Sequence, residues 1–271
     1  MTQTHEHPFY DDPWVGDQAD AAAAIWDWHS ALHRKALAAP DLEVEDFQLE
    51  AERVRVEMTT RLLEESVQER ARSAVSRWSL DPNLFAIQME AAVVFTGPTS
   101  FADKQELLAF VDRWAASLGR LLISVAGSNR EWQIPWVDAL SRGFFLLGRM
   151  LALPSDAVRG QVFFPQDEME FFGVTLSELT SAPPSDDVRK LLWKQCVRIR
   201  DQFAQALPLA EELPRKQAAG FRRWWLGGLE MVNTIERKDY DVWSEPITLS
   251  PFHRAQVRYQ SRFGRLTFKR K

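Results

Sequence analysis

Apolar residues recur at i, i+3 and i+4 through the alanine-rich stretch from Ala21 to Ala39, and this spacing predicts a helix with one buried face that Pro40 ends. Asp17 or Asp20 stands where its N-cap belongs. From Asp41 to Ser79, acids and bases alternate around apolar positions such as Val44, Phe47, Leu49, Val54, Leu62 and Val67, the pattern of a charged helix with a water-facing surface. Asp81-Pro82 opens a helix over Asn83 to Phe95, which Gly97-Pro98 breaks, and another runs from Phe101 or Asp103 to Ala126. After a Gly127-Ser128-Asn129 turn, an apolar helix from Pro135 to Leu153 meets Pro154, crosses a short turn at Arg159 and Gly160, and enters Phe163-Phe164-Pro165 before a second amphipathic piece. Pro183-Pro184 marks a loop, Ser185-Asp186-Asp187 starts a helix through Leu207, and a last helix spans Pro214 to Val232. The pattern predicts one all-α domain over residues 17–251.

The two ends differ from that domain and from each other. Residues 1–16 lack helical periodicity and read as an extended acidic arm, whereas residues 252–271 hold seven Lys and Arg with no acid. In that basic tail Arg254, Arg258, Arg262 and Arg265 recur among Val257, Tyr259, Phe263 and Leu266, which suits an anionic membrane surface or an acidic partner, and equally a solvated helix end. In the arm, His5, Glu6, His7, Asp11 and Asp12 are metal-ligand types, but their spacing follows no known ligand pattern and a solvated acidic arm explains them equally well.

Composition narrows the class further. At 271 residues with 45% hydrophobic and 26% charged residues, the chain has the make-up of a globular protein able to bury its own core. A net charge of −5 argues against nonspecific nucleic-acid binding. Cys196 is the single cysteine, and no charged n-region with an apolar h-region opens the chain, so the expected location is the cytoplasm, with peripheral membrane contact through the tail. Arg142, Arg149 and Asp156 bracket the apolar run around Phe144 to Leu153, so no transmembrane helix is expected. A Gly-rich phosphate loop, His-Glu-x-x-His, Cys-x-x-Cys and Gly-x-Ser-x-Gly are all absent.

One family pattern runs through the chain. Gly160, Val162, Phe163, Phe164, Pro165, Gln166, Phe172, Gly173 and Val174 fall where the squalene and phytoene synthases carry the turn and helix after their second aspartate-rich region, and this stretch resembles theirs. Ala24-Ile25-Trp26-Asp27-Trp28-His29-Ser30 resembles their first-cluster phrase, Glu106 to Val111 and Ala115 to Leu121 resemble two internal phrases, and Lys238 to Trp243 resembles their C-terminal Tyr-Asp element. The resemblance covers about residues 20–250 and implies an isoprenoid-synthase-like helical bundle around a central cavity. Small residues at Ala115, Ala116 and Gly119 suit either close helix packing or room for an isoprenoid tail.

The implied chemistry departs from the pattern. In the family, carboxylates four residues apart on two facing helices hold magnesium ions that bridge to a diphosphate. Here the first-cluster positions fall on His33, Arg34 and Leu37, and the second-cluster positions on Gly148, Ala152 and Asp156. Arg34 is able to meet a phosphate directly or to face water, and Asp46 with Glu50 is the nearest carboxylate pair at i, i+4 on a charged surface. Trp26, Trp28, Phe110 and Arg159 are candidates for contact with a substrate.

Two functions follow from these residues. One is a catalytically degenerate relative that binds an isoprenoid or isoprenyl diphosphate, or serves as an assembly or scaffold factor for a protein partner, with no metal or cofactor. The other is an active prenyl transferase that condenses isoprenyl diphosphates using magnesium held by relocated acids such as Asp11, Asp12, Asp27 or Asp46.

Overall fold

The computed structural model describes residues 14, 16–128 and 130–263, and the predicted helices are there, with their ends moved where local chemistry differs from the sequence rule. Helix α1 runs Asp17–Ala38 and starts from Gly16 at φ 58°, so Asp17 and Asp20 lie in its first turn, favourable to the helix dipole, and neither side chain caps it. The charged stretch after it divides into α2 (Val44–Glu57) and α3 (Glu65–Trp78), because Met58 at φ 54° ends α2 in the left-handed region.

Buried Glu50 holds the intervening turn. It accepts from Thr60 Oγ1 at 2.7 Å and from the Arg61 backbone N–H at 2.6 Å, while Gln68 Oε1 accepts from the Thr60 N–H at 2.5 Å. Asp46 accepts from the Glu43 N–H at 2.9 Å in a capping box. Both carboxylates of the Asp46/Glu50 pair therefore serve the backbone of α2 and its exit.

The next predicted helices appear as α4 (Pro82–Ala91), extended by a 3₁₀ turn over Ala92–Phe95, then α5 (Lys104–Val111), a π-helical turn (Asp112–Ala116) and α6 (Ser117–Val125). Asp81 and Asp103 cap α4 and α5 through the Asn83 and Gln105 N–H groups, at 2.9 and 2.7 Å. Helix α7 (Ile134–Val158) continues through Pro154, a turn beyond the predicted stop at Leu153. The proline removes one helical donor, yet α7 is packed along its length against α6, α10 (Asp186–Ala206) and α12 (Arg215–Arg237), and that packing carries the helix past the break.

Two short strands, β1 (Thr99–Phe101) and β2 (Gln161–Pro165), pair in parallel with Thr99 opposite Gln161 and Phe101 opposite Pro165. The sequence reads 161–165 only as a turn and aromatic punctuation, but all five β2 residues are buried, and Val162, Phe163 and Phe164 suit a strand. Gly160 at φ 71° turns the chain from α7 into β2, where an added Cβ would lie 3.3 Å from Pro98. Short helices α8 (Gln166–Phe172) and α9 (Leu176–Leu179) follow, with α11 (Leu209–Glu212) between α10 and α12.

Close packing claims the small residues of the π-helical turn and of α6. A Cβ on Gly119 would sit 2.0 Å from Ser141 Oγ of α7, and Ala116 is wholly buried. At the two ends, Trp14 is buried with its ring 5.7 Å from Phe221 and 4.8 Å from Trp224, and α13 (Pro251–Phe263) packs on α12 with Val257 inward. His5, Glu6, His7, Asp11, Asp12 and Arg265 lie outside the described residues. Among the described residues no helix is long and apolar enough to cross a membrane.

Candidate functional site

Helices α1 and α7 carry the positions where the resemblance implies the two carboxylate clusters, and their side chains meet around a knot of aromatic rings. On α1, His29 Nδ1 is 2.6 Å from Gln88 Oε1 of α4, and its ring lies 4.1 Å from Trp114. One turn later the His33 ring meets Phe95 edge-on at 4.4 Å and Trp114 at 5.9 Å. Burial pushes the His29 imidazole down to about 4, against the raising effect of the Gln88 bond, and Arg149 adds to the fall. Burial, then Arg149, His29, Arg159 and Arg34, hold His33 well below the usual histidine range. Both imidazoles are neutral at pH 7.

On α7 the guanidinium of Arg149 lies 5.3 Å from the ring centre of Phe163 and 5.8 Å from that of Phe145, and its Nη1 is 3.2 Å from Asp156 Oδ2. Arg159 Nη1 is 3.8 Å from the other oxygen of the same carboxylate. Side-chain exposure rises outward along this line, from 4% at Asp156 to 18% at Arg149 and 46% at Arg159. Burial raises the Asp156 carboxyl above the usual carboxylate range against the pull of Arg149 and Arg159, and burial lowers the Arg149 guanidinium. Arg149 and Asp156 are seven residues apart and share a helix face only because α7 continues through Pro154.

These residues do not fit magnesium. A hard divalent cation needs several oxygen ligands, and of the cluster positions His33, Leu37, Gly148 and Ala152 supply none, while the one carboxylate, Asp156, already faces two guanidiniums. Among the described residues no group of three or more His, Cys, Asp and Glu side chains is placed to hold a metal ion. Asp27, a candidate relocated ligand, is instead paired on the outside with Arg70 at 2.6 Å.

The other sequence candidates scatter. Phe110 joins the aromatic knot, 5.7 Å from Phe95, 5.4 Å from Phe101 and 5.7 Å from Phe145. Trp26 is half-buried beside His29 at 5.9 Å, whereas Trp28 is fully buried against Phe85 at 5.0 Å and belongs to the core between α1 and α4. Leu37 packs on the core, Ala152 is buried, and Arg159 stands at the rim with Asp156 below it.

Sequence reasoning missed His29, Gln88, Trp114 and Arg149 as site residues. The available signal for Arg149 was a lone cation, with an acid two turns on, inside an apolar helix; the proline between them hid it.

Comparison with known proteins agrees with this architecture. The chain is 26% identical over 178 residues to phytoene synthase 3, chloroplastic, of Zea mays, covering 62% of this chain and 41% of that one. It is 25% identical over 185 residues to 15-cis-phytoene synthase of Synechococcus elongatus, covering 62% and 58%. Thus the matched region spans about half the length of these curated relatives. A crystal structure of a dehydrosqualene synthase in complex with ligand superposes with a TM-score of 0.80 at 10% identity, over 96% of this chain and 91% of that one, and so shares the fold. The squalene/phytoene synthase family model matches residues 15–258, and with the fold in agreement, this chain belongs to the squalene/phytoene synthase family.

Proposed function

We propose that this chain is a catalytically degenerate member of its family, which binds an isoprenoid or acts as an assembly or scaffold factor and does not condense isoprenyl diphosphates. The observation that carries this reading is the Arg149–Asp156 pair, with neutral His29 and His33, where a diphosphate-ionising enzyme needs carboxylates on both helices. Ionising an allylic diphosphate develops negative charge on the leaving group and positive charge on the carbon. Without divalent ions the first is poorly compensated, and each ~1.4 kcal/mol so lost is a tenfold slower reaction. The second is opposed by a fixed guanidinium, which also covers Phe163 and Phe145, rings whose faces would otherwise stabilise a carbocation.

The test incubates the purified protein with farnesyl and geranylgeranyl diphosphates, with and without magnesium, following diphosphate release and bound lipid. Saturable binding with no release is the expected result. Magnesium-dependent release abolished by mutating Asp11 and Asp12 would overturn the reading in favour of an active prenyl transferase.

The cytoplasmic location and peripheral membrane contact belong to the same proposal. On α13, Phe252 and Tyr259 are exposed beside Arg254, Arg258 and Arg262, a basic amphipathic face suited to anionic lipid. The protein is expected to float with phosphatidylserine vesicles at low salt and to be released by raised salt. Flotation that persists unchanged after Arg254→Glu and Arg258→Glu would reject the α13 contact.

A further inference from the structure

We propose that the outer face of α10 pairs with the same face of a second copy of this chain, the two helices lying antiparallel about a two-fold axis at the level of Gln195.

Helix α10 turns Val188, Leu191, Ile199 and Phe203 inward, and packs on α7, α8 and α12. Its opposite side carries Lys190, Trp193, Val197 and Asp201, spaced three, four and four residues apart and therefore aligned along one face. Trp193 is 53% exposed there and Val197 37%. The Trp193 indole makes no hydrogen bond or ring contact with any described residue, so much of its apolar area is left to water. On the α8 side of this stripe, the Lys194 ammonium lies 5.8 Å from the ring centre of Phe171, which is itself 79% exposed. A surface tryptophan flanked by apolar neighbours is the kind of residue that anchors a protein interface.

The charges decide the occupant. Exposed Lys190, at one end of the stripe, is paired with Asp187 of its own turn at 2.7 Å, and exposed Asp201, at the other end, has no ion-pair partner among the described residues. In a two-fold interface each contact between two different residues occurs twice, once in each direction. Setting Trp193 against Val197 of a second copy puts the axis at Gln195. Lys190 then stands five residues before the axis and Asp201 six after it, so each lysine faces the other copy's aspartate to within one residue's rise, about 1.5 Å. One register thus brings together both the apolar contact and the ion pair, and the face is its own complement. Anionic lipid fits it poorly, because Asp201 and exposed Asp186 and Asp187 would meet that surface as like charges.

The experiment follows the full chain by sedimentation velocity from about 1 to 100 µM, with thermal unfolding of the dilute protein alongside. A concentration-dependent dimer is expected. Trp193→Asp is expected to weaken it about thirtyfold or more and to leave the melting temperature of the dilute protein unchanged, since the side chain is exposed in a single copy. Asp201→Lys sets cation against cation and is expected to weaken the dimer about tenfold, whereas Asp201→Lys combined with Lys190→Glu is expected to return it to within about threefold of wild type. A chain that stays monomeric up to about 100 µM would overturn the proposal, as would a dimer that Trp193→Asp and Asp201→Lys both leave intact. Failure of the doubly reversed variant to recover would overturn the antiparallel register and the pairing with it. Flotation on phosphatidylserine vesicles that depends on Trp193, with no dimer, would give this face to lipid in place of a second copy.

Discussion

Replacing Arg149 by methionine is expected to destabilise the protein by about 3 kcal/mol at neutral pH, the cost of leaving a buried charge without its partner. Asp156 is 4% exposed, and after the change its nearest cation is Arg159 at 3.8 Å, itself half in water. The carboxyl, already raised by burial, then rises further. Because its folded value lies above the unfolded one, the variant gains stability relative to wild type as pH falls through that folded value. Adding Asp156→Leu to Arg149→Met removes the stranded charge and is expected to recover most of the loss, since apolar replacement of a buried pair is often near neutral. Urea unfolding of the two single variants and the double variant at pH 7 and pH 5 reads each term. A single-variant loss below about 1 kcal/mol would show a solvated pair of the surface kind, and would weaken the argument that the Arg149 charge acts within the site.

Phe203 should be the most sensitive apolar position outside the site. It stands on α10 between glycines of two other helices: a Cβ built on Gly143 of α7 would lie 2.6 Å from its ring, and one on Gly228 of α12 would lie 2.7 Å away. The ring also meets Phe144 at 5.0 Å, and the Phe203 carbonyl accepts from Trp225 Nε1 at 2.7 Å. Phe203→Ala is expected to cost about 4 kcal/mol by emptying a wholly buried ring site. Gly143→Val is expected to cost roughly 2 kcal/mol by overpacking, because a Cβ there already falls 2.6 Å from the Phe203 ring. Gly143→Ala with Phe203→Leu should be milder than the sum of its parts, as the smaller side chain yields the space the added methyl needs. Thermal unfolding reads the stability, and lipid binding reads the consequence for the site, since Gly143 and Arg149 lie on the same helix. If Gly143→Val left both unchanged, α7 would not be held by this clamp.

Some of this was legible from the residues alone. Helix period, proline and glycine breaks, and capping aspartates such as Asp81 and Asp103 are local physics, so the succession of helices and the all-α class followed from the chain without knowledge of its neighbours. The family phrases around Gly160 to Val174 and Ala24 to Ser30 carried the resemblance, which implies carboxylates at the positions held by His33, Leu37, Gly148 and Ala152.

The remainder depended on contacts between distant segments. No local rule brings Gln88 to His29 across 59 residues, or sets Trp114 against both histidines. Nor does any local rule carry α7 through Pro154; packing against α6, α10 and α12 does, and only then do Arg149 and Asp156 share a face. Strand β2 forms because its five residues are buried and β1 lies alongside, a pairing across about sixty residues that periodicity cannot register. The sequence by itself determined which side chains α1 and α7 carry where the resemblance implies acids, because residue identity at a helical position is local. Only the tertiary structure decided what surrounds those side chains, because a buried guanidinium, two imidazoles held below their usual range and a knot of rings acquire their charge and chemistry from their neighbours.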